Sequence, residues 1–451
     1  MKCAGCQAGA ARWRSIVSVR SAPEARRGRR QESTIRIASL FTSRRVAPLF
    51  LLGMASGLPL ELTGNTLQVW LTVAGVSLQE IGLLTLAGAA YTLKFLWSPL
   101  VDRYAPPGLG RRRGWMFLMQ WLLALALVGM GLLSPDESLG TLALLAVLVA
   151  FFSATQDIAF DAYRADLLQP YERGAGVALS VLGYRLAKVV SGGLAVVVAE
   201  KWLGWGNVYI LMGVCMAAFS IVTLLAVEPA RDVQAPVSLR AAVIEPFREF
   251  FGRTGAWEMV LFIVIYKLGD AFASALSNTF LIRHGQFDAE TVGWVNNVLG
   301  IVATVVGAVV GGALLERLRL FRALLLFGLL QGASNLGYAV IAWYPGELAL
   351  MVPIVAFENV CSGLGTAAFV ALLLAVCDAR YSATQFALLS ALAAIGRTYI
   401  AGPLTPLLVG WLGWAGFFLV SVVIAVPGLW LLCRRKTEIE DLDARQNPSG
   451  G

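Results

Sequence analysis

Twelve apolar stretches, each long enough to cross a lipid bilayer, recur between residues 47 and 433 of the chain. A transmembrane helix needs about 20 predominantly apolar residues, and only a helix satisfies its own backbone hydrogen bonds within one such segment. We place the stretches at 47–72, 80–101, 114–133, 141–167, 174–199, 207–228, 257–282, 291–314, 322–343, 349–374, 384–410 and 414–433. The sequence therefore predicts an all-α integral membrane protein with twelve transmembrane helices and a lipid bilayer as its surroundings.

The charge of the chain is scarce and unevenly placed. Soluble domains carry about 25% charged residues, whereas 14% of these 451 residues are charged and 58% are hydrophobic. The net charge of +8 comes from residues 1–46, which hold 11 Lys and Arg residues but two Asp and Glu residues. We therefore expect no nucleic-acid partner and a basic, disordered tail over residues 1–46. With a single histidine, His284, and an isolated Cys3–Cys6 pair, we also expect no metal site and no cofactor.

The basic residues between the stretches indicate the orientation in the membrane. Of the 36 Lys and Arg residues, 29 lie in the amino-terminal tail, in or within four residues of the even-numbered connections, or in the carboxyl-terminal tail. The odd-numbered connections hold two, Lys201 and Arg283. Because basic residues concentrate on the cytoplasmic side, this bias predicts that both termini are cytoplasmic.

The longest internal connection, residues 229–256, divides the body into halves at 47–228 and 257–433, with a polar cytoplasmic tail at 434–451. Apolar side chains of this connection share one helical face, opposite charged side chains, which predicts an amphipathic helix at the cytoplasmic surface. The apolar face consists of Val243, Phe247, Phe250 and Phe251.

The two halves resemble each other at corresponding positions. Leu179-Ser180-Val181-Leu182 in the fifth stretch matches Leu389-Ser390-Ala391-Leu392 in the eleventh, although Leu-rich helices can also match by accident. Two parallel six-helix repeats are the architecture of the major facilitator superfamily, whose substrate site lies between the halves. We expect that fold here. We predict a gating role for the charged residues that follow the second and eighth stretches: Asp102, Arg103, Arg111, Arg112, Arg113, Glu316 and Arg317.

Ten charged residues lie more than five residues from either end of an apolar stretch. A charged residue at the centre of a membrane helix costs about 2.5–3.5 kcal/mol, so each is a functional candidate. They are Lys94, Arg185, Lys188, Lys267 and Arg397, and Glu61, Asp157, Asp161, Asp270 and Glu358. Five charges of each sign predict a polar transport path through the bundle.

Asp157 and Asp161 are four residues apart, so they share one face of the fourth helix. Two acids held together in apolar surroundings favour uptake of a proton by one of them, and we assign both to proton coupling. For Asp161, as for Asp166 near the end of the same helix, an alternative is a structural ion pair with the arginines at 111–113, which would hold an inside gate shut.

Polar groups deep in the stretches are the candidates for substrate binding. Some have alternative explanations: Lys267 and Asp270 can neutralise each other, and most membrane tyrosines are interfacial anchors. The candidates are Gln156, Lys94, Tyr91, Tyr184, Arg185, Lys188, Tyr266, Lys267, Asp270, Glu358, Asn359, Arg397, Asn65 and Gln68.

Several motifs, in order along both halves from about residue 49 to 434, are similar to those of the bacterial AmpG muropeptide permease family. They include Gly53-Met54-Ala55-Ser56-Gly57-Leu58-Pro59-Leu60, Lys94-Phe95-Leu96-Trp97-Ser98-Pro99-Leu100, Ser153-Ala154-Thr155-Gln156-Asp157-Ile158, Tyr266-Lys267-Leu268-Gly269-Asp270-Ala271-Phe272 and Ser382-Ala383-Thr384-Gln385-Phe386. Family members often continue into extra helices after the twelfth, and the basic amino-terminal tail has no counterpart in the family.

The resemblance implies a proton-driven importer in the inner membrane of Gram-negative bacteria. Its substrates would be N-acetylglucosaminyl-1,6-anhydro-N-acetylmuramyl peptides, taken up for peptidoglycan recycling and linked to β-lactamase induction. It further implies that Gln156, Asp157 and Asp161 are important for transport. We expect a monomer whose partners are muropeptide and protons.

Other functions stay open. The substrate can instead be another bulky anion such as acetyl-CoA, since acetyl-CoA transporters are related to this family. A membrane-embedded enzyme for cell-wall precursors would need larger outward connections than these. A non-transporting sensor with the same fold is disfavoured by gating motifs in both halves.

Overall fold

The computed structural model describes residues 43–168, 172–229, 245, 247–253, 255–315, 317–377 and 382–446. Its regular elements, over these residues, are all helical. The α-helices are α1 (Pro48–Thr63), α2 (Asn65–Val73), α3 (Leu78–Leu84), α4 (Ala89–Leu93), α5 (Ser98–Arg103), α6 (Arg111–Gly131), α7 (Pro135–Leu167), α8 (Arg173–Val189), α9 (Ala195–Val198), α10 (Trp205–Leu225), α11 (Ala256–Tyr266), α12 (Leu268–Ala275), α13 (Ser277–Arg283), α14 (Ala289–Val292), α15 (Gly300–Leu315), α16 (Leu320–Trp343), α17 (Leu348–Val376), α18 (Ser382–Ile395), α19 (Gly402–Arg434) and α20 (Lys436–Gln446).

Nine helical stretches of the described chain are long and apolar enough to cross a membrane. The all-α membrane fold is thus confirmed, while the number twelve stays a prediction. The first two apolar stretches are divided into shorter helices; Gly64 interrupts the first between α1 and α2. The last two form one continuous helical run, Gln385–Arg434. Within that run Gly413 has φ +65°, a conformation that favours glycine, so the chain turns where the sequence predicts a connection.

One close helix pair occurs at the same place in both halves. In the first half α6 packs along α10, and in the second half α16 packs along α19; these are the third and sixth predicted helices of each half. Other close pairs differ between the halves: the first half pairs α1 with α8, its first and fifth predicted helices, and the second pairs α15 with α17, its second and fourth.

Glycines allow α1 and α8 to approach closely. The missing side chain of Gly183 leaves room for the Phe50 carbonyl, and that of Gly53 leaves room for the Ser180 carbonyl. Small residues at such crossings let helix backbones come together in membranes. The close pair forms one wall of the site described below.

Irregular turns mark the helices that meet between the two halves. π-helical turns occupy Val190–Leu194, Gly293–Leu299 and Gly396–Ala401, and a 3₁₀ turn occupies Thr85–Gly88. The first two turns pack against each other, with Gly193 beside Val298. Single π-helical turns inside α-helices occur frequently at functional sites, and these turns carry several residues of the site.

The described part of the central connection packs onto the second half. Phe250 is buried in a cluster with Met259 and Phe262, and Arg253 donates hydrogen bonds to Glu249 and to the Val376 carbonyl. Val243 lies outside the described residues, so the full amphipathic face predicted from the sequence stays a prediction.

Candidate functional site: a central cavity between the halves

A cavity of about 550 Å³ lies between the two halves. Its walls come from α1, α2, the 3₁₀ turn after α3, α8, α12, α15, α17 and the π-helical turns. Eight residues predicted from the sequence to bind substrate line it: Asn65, Gln68, Tyr91, Lys188, Asp270, Glu358, Asn359 and Arg397. Helices distant in sequence thus place polar side chains around one space.

The remaining predicted residues lie outside the cavity wall. Lys267 and Tyr266 line a much smaller neighbouring pocket, together with Asp270 and Gln331. The residues that line neither space are Lys94, Gln156, Asp157, Asp161, Tyr184 and Arg185. A role of these six residues in substrate binding or proton coupling therefore stays a prediction.

Asp157 is held by groups from two neighbouring helices of the first half. Its Oδ1 accepts a hydrogen bond from Ser56 Oγ at 2.5 Å, and its Oδ2 lies 4.0 Å from Lys94 Nζ. The side chain is 15% exposed. The Asp157 carboxylate thus has one hydroxyl donor, Ser56, and one cation, Lys94, which is held only loosely. A proton on Asp157 can replace Lys94 as the compensating charge.

Asp161, one turn away, has different surroundings. It lies 3.0 Å from Arg164 on its own helix, and its side chain is 58% exposed. Asp166 instead forms the ion pair with the arginine cluster, accepting from Arg112 Nε at 2.8 Å. Of the two acids for which the sequence left this structural pair open, Asp166 forms it.

Two of the predicted gating residues of the first half, Arg112 and Arg113, contact groups of their own half. Arg113 donates to the carbonyl oxygens of Thr223 and Leu224, and Glu228 accepts from the backbone nitrogens of Arg112 and Arg113. The Asp102 side chain and Glu316 lie outside the described residues. The gating role of this group stays a prediction.

A buried ion pair stands on the cavity wall of the first half. Glu61 Oε1 lies 2.8 Å from Lys188 Nζ, and Glu61 Oε2 accepts from Asn65 Nδ2 at 2.7 Å. Glu61 is 4% exposed. The Glu61 charge is thereby compensated by Lys188, which makes this part of the wall nearly neutral.

A polar network faces it from the second half. Lys267 and Asp270 form the ion pair that their spacing predicts, at 2.9 Å. Gln331 Nε2 donates to Asp270 at 3.1 Å and to Glu358 at 3.4 Å, and the Tyr338 hydroxyl lies 3.5 Å from Glu358. Gln331 thus links the two acids, a role not predicted from the sequence.

Arg397 is the exposed cation of the cavity wall in this half. It lies on the π-helical turn Gly396–Ala401. Among the described residues it makes neither a hydrogen bond nor an ion pair. Its guanidinium is therefore available to an anionic group inside the cavity.

One end of the cavity is closed by contacts between the halves. Gln68 donates to the Ala275 carbonyl at 3.1 Å, and the hydroxyls of Thr72 and Thr279 lie 2.9 Å apart. Arg283 donates to the carbonyls of Thr72 and Val76, at 3.0 and 2.6 Å. We call this group of contacts the closed end.

Arg283 was not singled out from the sequence, although one signal was present. It is one of two basic residues at the odd-numbered connections. From the opposite half, its guanidinium contacts the Thr72 carbonyl in the last turn of α2 and the Val76 carbonyl just beyond it, and a cation is favourable at a helix carboxyl end.

The comparisons with known proteins identify the family. The model of the Major Facilitator Superfamily matches residues 49–400. The chain is 55% identical over 401 residues to the anhydromuropeptide permease of Escherichia coli strain K12, covering 88% of this chain and 82% of that protein. The chain belongs to the AmpG permease family of the major facilitator superfamily.

More distant proteins agree with this family. A putative transporter of Rickettsia conorii, AmpG 4, is 32% identical over 417 residues, covering 90% of this chain and all of the relative. Among solved structures, a bacterial homologue of the human lysosomal transporter Spinster has a TM-score of 0.70 at 16% identity, covering 89% of this chain and 97% of that one. Its likeness shows the superfamily fold. The chain is thus a multi-pass membrane transporter.

The closed end gives a testable prediction for this AmpG-family transporter. Arg283→Ala should open the closed end more often, raising the maleimide labelling rate of a cysteine placed at Thr279 by about tenfold. Hydrogen bonds from a charged donor contribute ~1.5–3 kcal/mol, and about 1.4 kcal/mol is a factor of ten. The measurement uses purified protein whose native cysteines are replaced.

Lys201→Ala is the matched control, because its ion pair with Glu290 is largely solvent-exposed and such pairs contribute little. An unchanged labelling rate in Arg283→Ala would show that Arg283 does not hold the halves together.

Proposed function

We propose that the chain is a proton-coupled secondary transporter that imports anhydromuropeptides across the bacterial inner membrane for peptidoglycan recycling. The observation that carries this proposal is the 55% identity to the E. coli anhydromuropeptide permease over most of both chains. The polar cavity between the halves supports it, since pockets of about 300–1,000 Å³ are usual for small-molecule ligands. The same uptake of anhydromuropeptides would feed the signal that induces β-lactamase.

The chemistry of the cavity suits this class of substrate. A muropeptide combines neutral sugars with peptide carboxylates. Arg397 offers a guanidinium for a carboxylate, which it can bind through two parallel hydrogen bonds. The amides of Asn65 and Gln68 from the first half, and of Asn359 from the second, offer donors and acceptors to hydroxyl and amide groups.

In the proposed topology twelve helices form two six-helix halves with both termini in the cytoplasm. The closed end then faces the periplasm, because Arg283 belongs to an odd-numbered connection. Import by alternating access requires the closed end to separate while the opposite end closes. The arginines at 111–113, with Asp102, Arg103, Glu316 and Arg317, are proposed to control the cytoplasmic side. We propose that the monomer is the transporting unit.

For proton coupling we propose Asp157 as the principal group, with Asp161 on the same helix face. Asp157 is supported by its largely buried side chain and by its two distinct partners, Ser56 and Lys94. When a proton replaces Lys94 as the compensating charge, Lys94 becomes free to bind an anionic group. Asp161 is well placed to exchange protons with water because its side chain is largely exposed.

The substrate class is tested by counterflow exchange in proteoliposomes. Vesicles preloaded with unlabelled anhydromuropeptide should exchange it for external labelled anhydromuropeptide. Vesicles preloaded with acetyl-CoA should not drive the same uptake. Exchange with acetyl-CoA alone would replace the proposed substrate by the other bulky anion, and no exchange with either compound would refute the proposed function.

A further inference from the structure

A group of neutral amide side chains lines the second-half wall of the cavity, apart from the charged network. Asn296, Asn297 and Ser277 line the cavity itself. Asn278 stands behind them, where its Oδ1 accepts a hydrogen bond from Asn296 Nδ2 at 2.7 Å. We call these four residues the asparagine cluster. None of them was selected from the sequence.

Two amide nitrogens of the cluster lack a hydrogen-bond partner. Within the described part of the chain, neither Asn278 Nδ2 nor Asn297 Nδ2 has one, and Asn297 is 3% exposed. A buried donor without a partner costs about 1–3 kcal/mol. Rotation about the terminal torsion of an asparagine is soft, so Asn297 can aim its amide at a group that enters the cavity.

The local helix geometry places the adjacent asparagines on the same wall. Residues Gly293–Leu299 form a π-helical turn, which is wider than an α-helical turn. Consecutive residues of a regular α-helix diverge around its axis, yet Asn296 and Asn297 both line the cavity. The turn is supported from the first half by Gly193, which lies against Val298.

The hydrogen-bonding roles in the cluster are complementary. The bond from Asn296 to Asn278 uses an amide hydrogen of Asn296 and orients its side chain, which presents a carbonyl oxygen as an acceptor. Asn297 keeps an unused donor. An acetamido group has one N–H donor and one carbonyl acceptor, so one such group can bond with both asparagines at once.

We propose that the asparagine cluster is the subsite for the N-acetylated sugar of the substrate, while Arg397 binds a carboxylate of the peptide. This inference rests on the proposed function, whose substrate carries acetamido sugars. It divides the cavity into a neutral sugar side and a charged peptide side.

Binding to the purified full-length chain by isothermal titration calorimetry tests the assignment. The three probes are the peptide-free anhydro-disaccharide with its lactyl carboxylate capped as an amide, the disaccharide bearing a tripeptide, and the capped disaccharide with hydroxyls in place of both acetamido groups. Asn297→Leu should weaken binding of the two acetamido probes by about tenfold, the loss expected for an unreplaced hydrogen bond to a buried group. It should leave the weak binding of the hydroxyl probe unchanged.

Two variants serve as controls. Arg397→Gln should weaken the tripeptide probe while leaving the peptide-free disaccharide unchanged. Asn207→Leu replaces an exposed asparagine whose amide bonds to the Leu203 carbonyl, and it should alter none of the three affinities. If Asn297→Leu lowers the unfolding temperature strongly, Asn297→Ser provides the same comparison with a smaller side chain.

The outcomes are distinct. Equal losses for the acetamido and hydroxyl probes, or full disaccharide affinity in Asn297→Leu, would overturn the sugar subsite, as would the absence of disaccharide binding to the wild-type protein. Disaccharide binding that follows the predicted pattern, without exchange in proteoliposomes, would retain the subsite and refute the transport function.

Discussion

Asp157→Asn is expected to abolish accumulation of anhydromuropeptide driven by a pH gradient, while exchange of internal for external substrate persists. Asparagine keeps the size of the side chain and can still accept the hydrogen bond from Ser56. It cannot take up or release a proton, so substrate movement loses its link to the gradient. Uptake should then stop when internal and external concentrations are equal.

The measurement compares gradient-driven uptake with counterflow in the same proteoliposomes. The matched control is Asp136→Asn, which removes an exposed carboxylate near the start of the same helix, α7. It should accumulate substrate as the wild-type protein does. If Asp157→Asn accumulates substrate fully, Asp157 takes no part in proton coupling. If the variant loses exchange as well as accumulation, Asp157 has a structural role.

Gly183→Ala should lower the free energy of unfolding by about 1–3 kcal/mol, the usual range for overpacking. An added Cβ would meet the Phe50 carbonyl oxygen and lie 3.1 Å from the Met54 nitrogen. Both contacts are to backbone, which has no rotamer to change. The α1–α8 pair would have to separate, and with it the wall that carries Glu61 and Lys188.

Gly140→Ala is the control, because a Cβ at this helical glycine meets nothing within 4 Å. Alanine there should be neutral or stabilising by up to about 1 kcal/mol, following helix propensity. Thermal unfolding of both variants in detergent measures the difference. Equal unfolding temperatures would show that the close crossing of α1 and α8 is not under steric constraint.

Local sequence patterns predicted the features that depend on neighbours in sequence. The apolar stretches became helices because their backbone groups bond within each segment. Lys267 and Asp270 form a pair because three residues bring them to one helix face. The turn at Gly413 was likewise visible as a break between apolar stretches.

Features that depend on helices distant in sequence could not be predicted. Lys94 approaches Asp157 only when the second and fourth predicted helices pack, and Gln331 links Asp270 with Glu358 across three helices. Arg185 sits at the depth of a substrate-binding residue, yet it does not line the cavity. Whether a side chain at this depth faces the cavity depends on the rotation of its helix, and tertiary packing sets that rotation.

The asparagine cluster also depends on a helix distant in sequence, so it was not predicted. Asn296 and Asn297 are adjacent polar residues in an apolar stretch, which was a signal. In a regular α-helix the side chains of these two residues would point in different directions around the axis. The π-helical turn that brings both to the cavity depends on contact with the fifth predicted helix of the other half.

Proton-driven import is tested most directly by uptake of labelled anhydromuropeptide into proteoliposomes containing the purified chain, with an acidic exterior and a neutral interior. We expect the internal concentration to rise above the external one, and an uncoupler that collapses the gradient should reduce it to equality. Accumulation unaffected by the uncoupler, or no uptake of anhydromuropeptide at all, would contradict proton-driven import through the central cavity.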